Sequence, residues 1–175
     1  MVYTHYWAYQ PDSAQFTAIF PRLIADSRDI ITHLSDIGVA LAGPTGTGAP
    51  LLNEAIIAVN GTRPDSGENF VLAPGSGSGI TAHTTDGAAF RMDWCQTRRQ
   101  PYDLAVTAIL LRAAQLAPRQ VALSSDGSWE HDWDAAHLLL IKLFDAYGDG
   151  SYLLPLADLS RGPESLHTRV LARAA

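Results

Sequence analysis

Asp93, Cys95, Thr97, Arg98, Arg99, Tyr102 and Asp103 crowd into residues 90–103, FRMDWCQTRRQPYD. The segment reads as a strand, a short polar turn and the start of an apolar helix. Such strand-to-helix junctions, outside the carboxyl end of a strand, are where α/β folds tend to take ligands. The unpaired N–H groups and dipole of a helix start favour an anion there. Arg98 and Arg99 would add guanidinium groups able to grip phosphate or carboxylate through two hydrogen bonds. Tyr102 would stack on the ligand or orient it, and Asp103 falls in the first helical turn. Adjacent arginines rarely point the same way, so one of the pair is expected to face outward.

Cys95 is the only cysteine. Two arginines and a helix start would lower its pKa and favour a thiolate nucleophile. A cysteine enzyme also needs a base within hydrogen-bond reach, and the histidines at 5, 33, 83, 131, 137 and 167 are scattered. A cysteine at a strand end is more often a small buried apolar residue. Asp93 and Asp103 are the alternative acid/base groups.

Ser124, Ser125, Asp126 and Gly127 make a second polar turn. It would lie beside the first if the strands leading into the two turns are neighbours. Ser and Asp in a tight turn usually bond their own backbone; otherwise Ser125 and Asp126 would meet a ligand's polar edges. GPTGTGAP, residues 43–50, lacks the Gly-Lys-Ser/Thr of a P-loop and the dinucleotide spacing, and reads as a flexible surface loop. His131 and His137, six apart, do not share a helix face, so no metal is expected. His5 reads as a packed histidine. Tyr3, Trp7, Trp94, Trp129 and Trp133 read as core or cross-strand aromatics rather than a stacking pocket.

The elements that must carry these groups follow from periodicity. Residues 3–9 alternate aromatic and β-branched side chains, which is a strand pattern. Pro11-Asp12-Ser13 starts a helix whose apolar spacing runs from Phe16 to Ile37, with Pro21 as a kink or a second start and Gly38 as the stop. Short strands are expected over 39–42, 54–60, 69–73 and 88–95, joined by Gly-rich loops and mostly antiparallel. Residues 104–116 are apolar almost all round, a helix buried on most sides. A strand at 120–123 and a helix from about residue 132 to 147 complete the pattern. The expectation is an α+β two-layer sandwich, with a mixed, largely antiparallel sheet and about three helices mainly on one face. Residues 1–150 would form one globular domain. Residues 151–175, with scattered Leu and Arg, would be a tail that is disordered or docks on a partner.

The chain has 175 residues, 47% hydrophobic and 17% charged, with net charge -6. That composition is globular, and the acidic balance argues against binding a nucleic-acid backbone. No apolar run approaches the roughly 20 residues of a membrane span. Residues 1–12 lack the basic and apolar regions of a signal peptide, so a cytoplasmic protein is expected. A single cysteine excludes an intramolecular disulfide and cysteine-rich zinc sites. Lys142 is the only lysine, which a GC-rich coding sequence would explain.

Five landmarks together carry a resemblance: THYW, GPTGTGAP, the Val59-Asn60-Gly61 turn, DWCQTRRQPYD and SSDGSW. The chain resembles a group of small bacterial and phage proteins with these landmarks in the same order, over residues 3 to 147. The resemblance implies a shared domain and a phage or GC-rich bacterial setting. It brings no activity, ligand or catalytic residue with it.

Three function classes remain. The first is a binding module for an anionic, nucleotide-like small molecule at residues 90–103, with Cys95, Thr97, Arg98, Arg99, Tyr102, Asp103, Ser125 and Asp126 around it and no cofactor. If the gene is phage-borne, such a module could sequester a nucleotide signal. The second is a structural or interaction protein that self-associates. The third is an enzyme using Cys95 or acidic groups, and the balance leans away from it.

Overall fold

The computed structural model describes residues 3–75, 80–83, 89–148 and 152–153. Among these residues, three helices and two antiparallel sheets form an α+β sandwich. The first sheet contains β1 (Thr4–Tyr9), β6 (Ile80–His83), β7 (Ala89–Gln96) and β8 (Val121–Ser125), in the order β6-β7-β1-β8. The second holds β2 (Leu41–Ala42), β3 (Leu51–Asn53), β4 (Ile56–Gly61) and β5 (Phe70–Leu72), all paired to β4. The helices are α1 (Ala14–Asp36), α2 (Asp103–Leu116) and α3 (Asp134–Phe144).

β1 is the axis of the first sheet. Its alternation puts His5, Trp7 and Tyr9 on the inner face, all buried. His5 is opposite Cys95 on β7 and Ser125 on β8, and Trp7 is opposite Asp93 and Leu123. The main core lies between this face and the helices, and Ile57, Val59, Phe70 and Leu72 of the second sheet join it. The Trp7 and Phe70 rings pack 5.1 Å apart, linking the two sheets.

Ser13 caps α1, its Oγ accepting the Phe16 N–H at 3.0 Å. Phe16, Phe20, Leu23, Ile24, Ile30 and Leu34 form its buried stripe. Pro21 neither ends nor splits this helix, which runs unbroken through it. Pro21 and Thr17, whose carbonyl loses its partner, both face solvent, where water can take that bond. Gly38, at φ 91°, turns the chain out of the helix.

α2 is buried continuously from Ala105 to Ala114, wedged among α1, α3 and β8. Each fully buried Leu or Ile there stabilises by about 1.5–3 kcal/mol. Arg112 breaks the apolar run because Asp26 of α1 receives it at 2.7 Å, while Asp26 also accepts from Arg22. This buried pair joins α1 to α2.

Several boundaries differ from expectation. β3 and β6 are strands of three and four residues that periodicity did not mark. α3 stops at Phe144 because Asp145 takes a left-handed conformation. Ser124 and Ser125 are the last residues of β8 rather than part of the turn. The 43–50 loop is internally bonded: Gly43 N–H reaches Gly48 O and Gly46 N–H reaches Gly43 O. The Asn60 side chain ties it down, donating to Pro44 O and to Gly67 O. Leu153 pairs in parallel with Leu123, and Tyr152 and Leu153 pack against the core; residues 151 and 154–175 of the expected tail, and the expected Asp86-Gly87 turn, lie outside the described residues.

Candidate functional site

Two turns close on the first residues of the central strand. The turn after β7 is tied by Arg98 N–H donating to Tyr3 O at 3.2 Å. The turn after β8 is tied twice: Asp126 N–H donates to Thr4 O, and Thr4 N–H donates to Asp126 Oδ2 at 2.9 Å. Both polar turns therefore lie on either side of β1, close enough to share one site.

At the centre is His5, 0% exposed, with both ring nitrogens engaged. Nε2 lies 2.7 Å from Asp103 Oδ1, and Nδ1 lies 2.9 Å from Ser125 Oγ. Thr97 Oγ1 also donates to Asp103 Oδ1. An ionised Asp103 only accepts, so Nε2 carries the proton and Nδ1 accepts from the Ser125 hydroxyl. Gly127 N–H donates to Ser125 Oγ at 2.9 Å. The result is an unbroken series, Asp103–His5–Ser125, running from the start of α2 to the end of β8. Asp103 occupies the first turn of α2, where the helix dipole favours its charge.

Aromatic rings hold the imidazole. Tyr3 and Trp133 meet it edge-on, with centroids 5.0 and 5.2 Å away and interplanar angles of 89° and 88°. Burial first, then the Asp103 and Asp132 charges, pushes the Tyr3 phenol well above its ordinary range. Gly127 must be glycine, since a Cβ there would collide with Tyr3 Oη and the Asp132 side chain. At the surface, Arg99 lies 3.9 Å over the Tyr3 ring and pairs with Asp132. Burial raises the Asp132 carboxyl, but the Ser128 N–H and Arg99 more than offset that and leave it below its usual range.

The expected site residues divide into three groups. Asp103 and Ser125 converge on His5, and Thr97 donates to Asp103. Arg99 and Asp126 border that cluster, already engaged by Asp132 and Thr4. Arg98 points elsewhere, its Nε donating to the neutral Gln96 Oε1 at 3.1 Å. Cys95 and Tyr102 lie in the core, where the thiol and the phenol both donate to Glu68 O. Burial pushes the Cys95 thiol strongly up, the reverse of the shift a thiolate nucleophile needs. Tyr102 has no face open for stacking on a ligand.

His5, Tyr3, Asp132 and Trp133 were not expected at a site. The first is a packed histidine, as its strand position suggests, but it is also the bridge between two other groups. His5, Asp103 and Ser125 come from three segments far apart in sequence, so no local pattern joins them. Among the described residues no group of three or more His, Cys, Asp and Glu is placed to hold a metal ion. No described helix is long and apolar enough to cross a membrane. No protein-family model matches this chain, nor does any curated protein or solved structure. The functional reading therefore rests on the chemistry of the site itself.

Proposed function

We propose that this chain is a small binding module for an anionic, nucleotide-like molecule taken at the turn between β7 and α2. The observation that carries this reading is the backbone there. Arg98 and Arg99 are consecutive non-glycine residues in the left-handed region, at φ 55° and 58°. Such residues cost on the order of 1–3 kcal/mol each and collect at binding and catalytic sites. Arg99 is held over the Tyr3 ring by Asp132, but nothing in the packing asks for a charge at the exposed Arg98, whose hydrogen bond goes to a neutral amide.

The strained turn sends the two guanidinium groups apart, Arg99 over Tyr3 to Asp132 and Arg98 outward beside Gln96. Arg98 meets no carboxylate at ion-pair distance among the described residues, so its charge is the one open to an anion. Asp126 and Asp132, on the opposite turn, would accept from hydroxyl or amino groups on the same ligand. A molecule with an acidic end and hydrogen-bond donors, such as a nucleotide or sugar phosphate, suits both halves. A cytoplasmic setting, in a bacterium or a phage-infected host, fits one buried, unpaired cysteine.

The test is a thermal-shift panel of nucleotides, cyclic dinucleotides and sugar phosphates. A ligand at ~100 times its Kd stabilises by about 2.7 kcal/mol, a rise of roughly 5–10 °C for a chain of this size. The shift should vanish in Arg98→Ala. A flat panel, or a shift that Arg98→Ala leaves intact, would sink the proposal.

A specific observation favours self-association as the second reading. Tyr6, Met92, Trp94 and Ile80 share the outer face of the first sheet, where Trp94 is 46% and Ile80 59% exposed. Exposed apolar side chains grouped on one face mark contact surfaces. Light scattering on the intact chain and on Trp94→Glu would test it; a monomer in both would remove it.

A further inference from the structure

We propose that Ser125, His5 and Asp103 form a nucleophilic relay, and that the chain hydrolyses an ester or thioester of the anionic molecule it binds. The inference rests on the binding reading for delivery of the substrate, but the chemistry belongs to three other residues. A serine hydroxyl attacks a carbonyl only when a base removes its proton, and the base must be held by a third group. Here Ser125 Oγ is 2.9 Å from His5 Nδ1, and His5 Nε2 is 2.7 Å from Asp103 Oδ1. Both fall within the range required of a general base and its orienting partner.

Three features suit this pattern to chemistry. His5 is fully buried and fixed edge-on by Tyr3 and Trp133, so its ring cannot turn away from Ser125. Ser125 is only partly buried and is the last residue of its strand. Asp103 accepts from Thr97 as well as meeting His5 Nε2, and its place in the first turn of α2 fixes it beside the ring. Compared with the serine protease arrangement, in which Nε2 faces the serine, the imidazole is reversed. Either nitrogen serves, since the acceptor is defined by which one the carboxylate leaves unprotonated.

Ser125 Oγ attacks the carbonyl carbon as its proton passes to Nδ1 of His5, and the carbonyl electron pair moves onto oxygen. The Gly127 N–H, directed at Oγ, holds the hydroxyl in position beside His5. Collapse expels the alkoxide or thiolate, which takes the proton from His5 and leaves an acyl-serine. Water then attacks that ester and gives its proton to His5. The acid departs and the proton returns to Ser125. The sum is ester plus water to acid plus alcohol or thiol, with no metal or redox partner required.

The test is labelling of the intact chain with a small neutral fluorophosphonate, which bonds to an activated serine oxygen through phosphorus and expels fluoride. Its site is read by intact mass and peptide mapping. We expect one adduct, on Ser125, absent in Ser125→Ala. The rate should fall about 10²-fold or more when the base is removed in His5→Gln, and should fall in Asp103→Asn, with circular dichroism confirming that each variant folds. No adduct on Ser125 in the folded wild type overturns the proposal. So does an adduct whose rate is unchanged in Asp103→Asn, which serves if His5→Gln does not fold. The probe needs no anion site, so the two readings separate: labelling with a flat thermal-shift panel keeps the relay and removes anion delivery. A ligand shift without labelling leaves a binding module with a purely structural histidine.

Discussion

Replacing Arg98 by glycine and by alanine separates the strain of the turn from the charge it displays. Arg98 sits at φ 55° with an exposed side chain whose one hydrogen bond goes to Gln96. A residue with a Cβ costs roughly 1–2 kcal/mol in this conformation. Glycine escapes that cost but gives up about 0.5–1 kcal/mol to the entropy of the unfolded chain. The difference, between about 0 and 1.5 kcal/mol, centres on a gain of about 0.7 kcal/mol for Arg98→Gly over the wild type, a rise in Tm of roughly 1–3 °C. Arg98→Ala keeps the Cβ, so its Tm should stay within about 0.5 kcal/mol of the wild type, as for most surface substitutions. Both variants should lose the ligand shift. The assay is calorimetry on the three proteins in one buffer, followed by the ligand panel. If Arg98→Gly is no more stable than Arg98→Ala, the turn stores no strain and the argument from strain to function falls.

Asp26→Ala strands Arg112 in the core without its partner, and breaking a buried pair this way costs about 3–5 kcal/mol. Urea unfolding should show that loss, and adding Arg112→Met should restore most of it. Burial raises the Asp93 carboxyl, only partly countered by the Trp94 N–H and Arg91. As pH rises above the ordinary value of 3.8, the unfolded chain ionises there first, so stability falls until the raised folded value is passed. Asp93→Asn should therefore stabilise at pH 7 and change little at pH 3, and equal effects at both would contradict the shift. Cys95 should resist iodoacetamide at pH 8 until the chain is unfolded, because its thiol is buried and raised; native labelling at the rate of a free thiol would contradict its placement.

Periodicity marked the elements that are long or strongly patterned. The alternation at residues 3–9, the apolar stripe of α1 and the all-round apolar α2 each have enough residues to declare a period. β3 and β6 are too short to do so, and they form because β4 and β7 offer unpaired backbone on that side. Both polar turns were legible from composition, but the condition expected to unite them, neighbouring strands, is not met: β7 and β8 flank β1. That β1 lies between those strands was not legible, because strand order depends on long-range packing. His5 consequently read as an isolated core residue. Arg98 and Arg99 read as a pair because they are adjacent, yet the left-handed backbone sends one to Gln96 and the other over Tyr3.

The separation of the two proposed tasks follows from the same geometry. The anion site rests on a strained, exposed turn, where binding can change the backbone at little cost to the core. The relay rests on the central strand and the first turn of a helix buried along most of its length, where His5 is the least able of the three to move. Groups that must hold hydrogen-bond distances belong on the rigid elements, and groups that must admit a ligand belong on the turn. Ser125 is where the two meet, since β8 fixes its backbone while the turn at Asp126 opens beside it. A perturbation at that residue alone should therefore separate chemistry from binding: Ser125→Ala removes the nucleophile while the Arg98 turn, tied to Tyr3 O rather than to β8, remains in place.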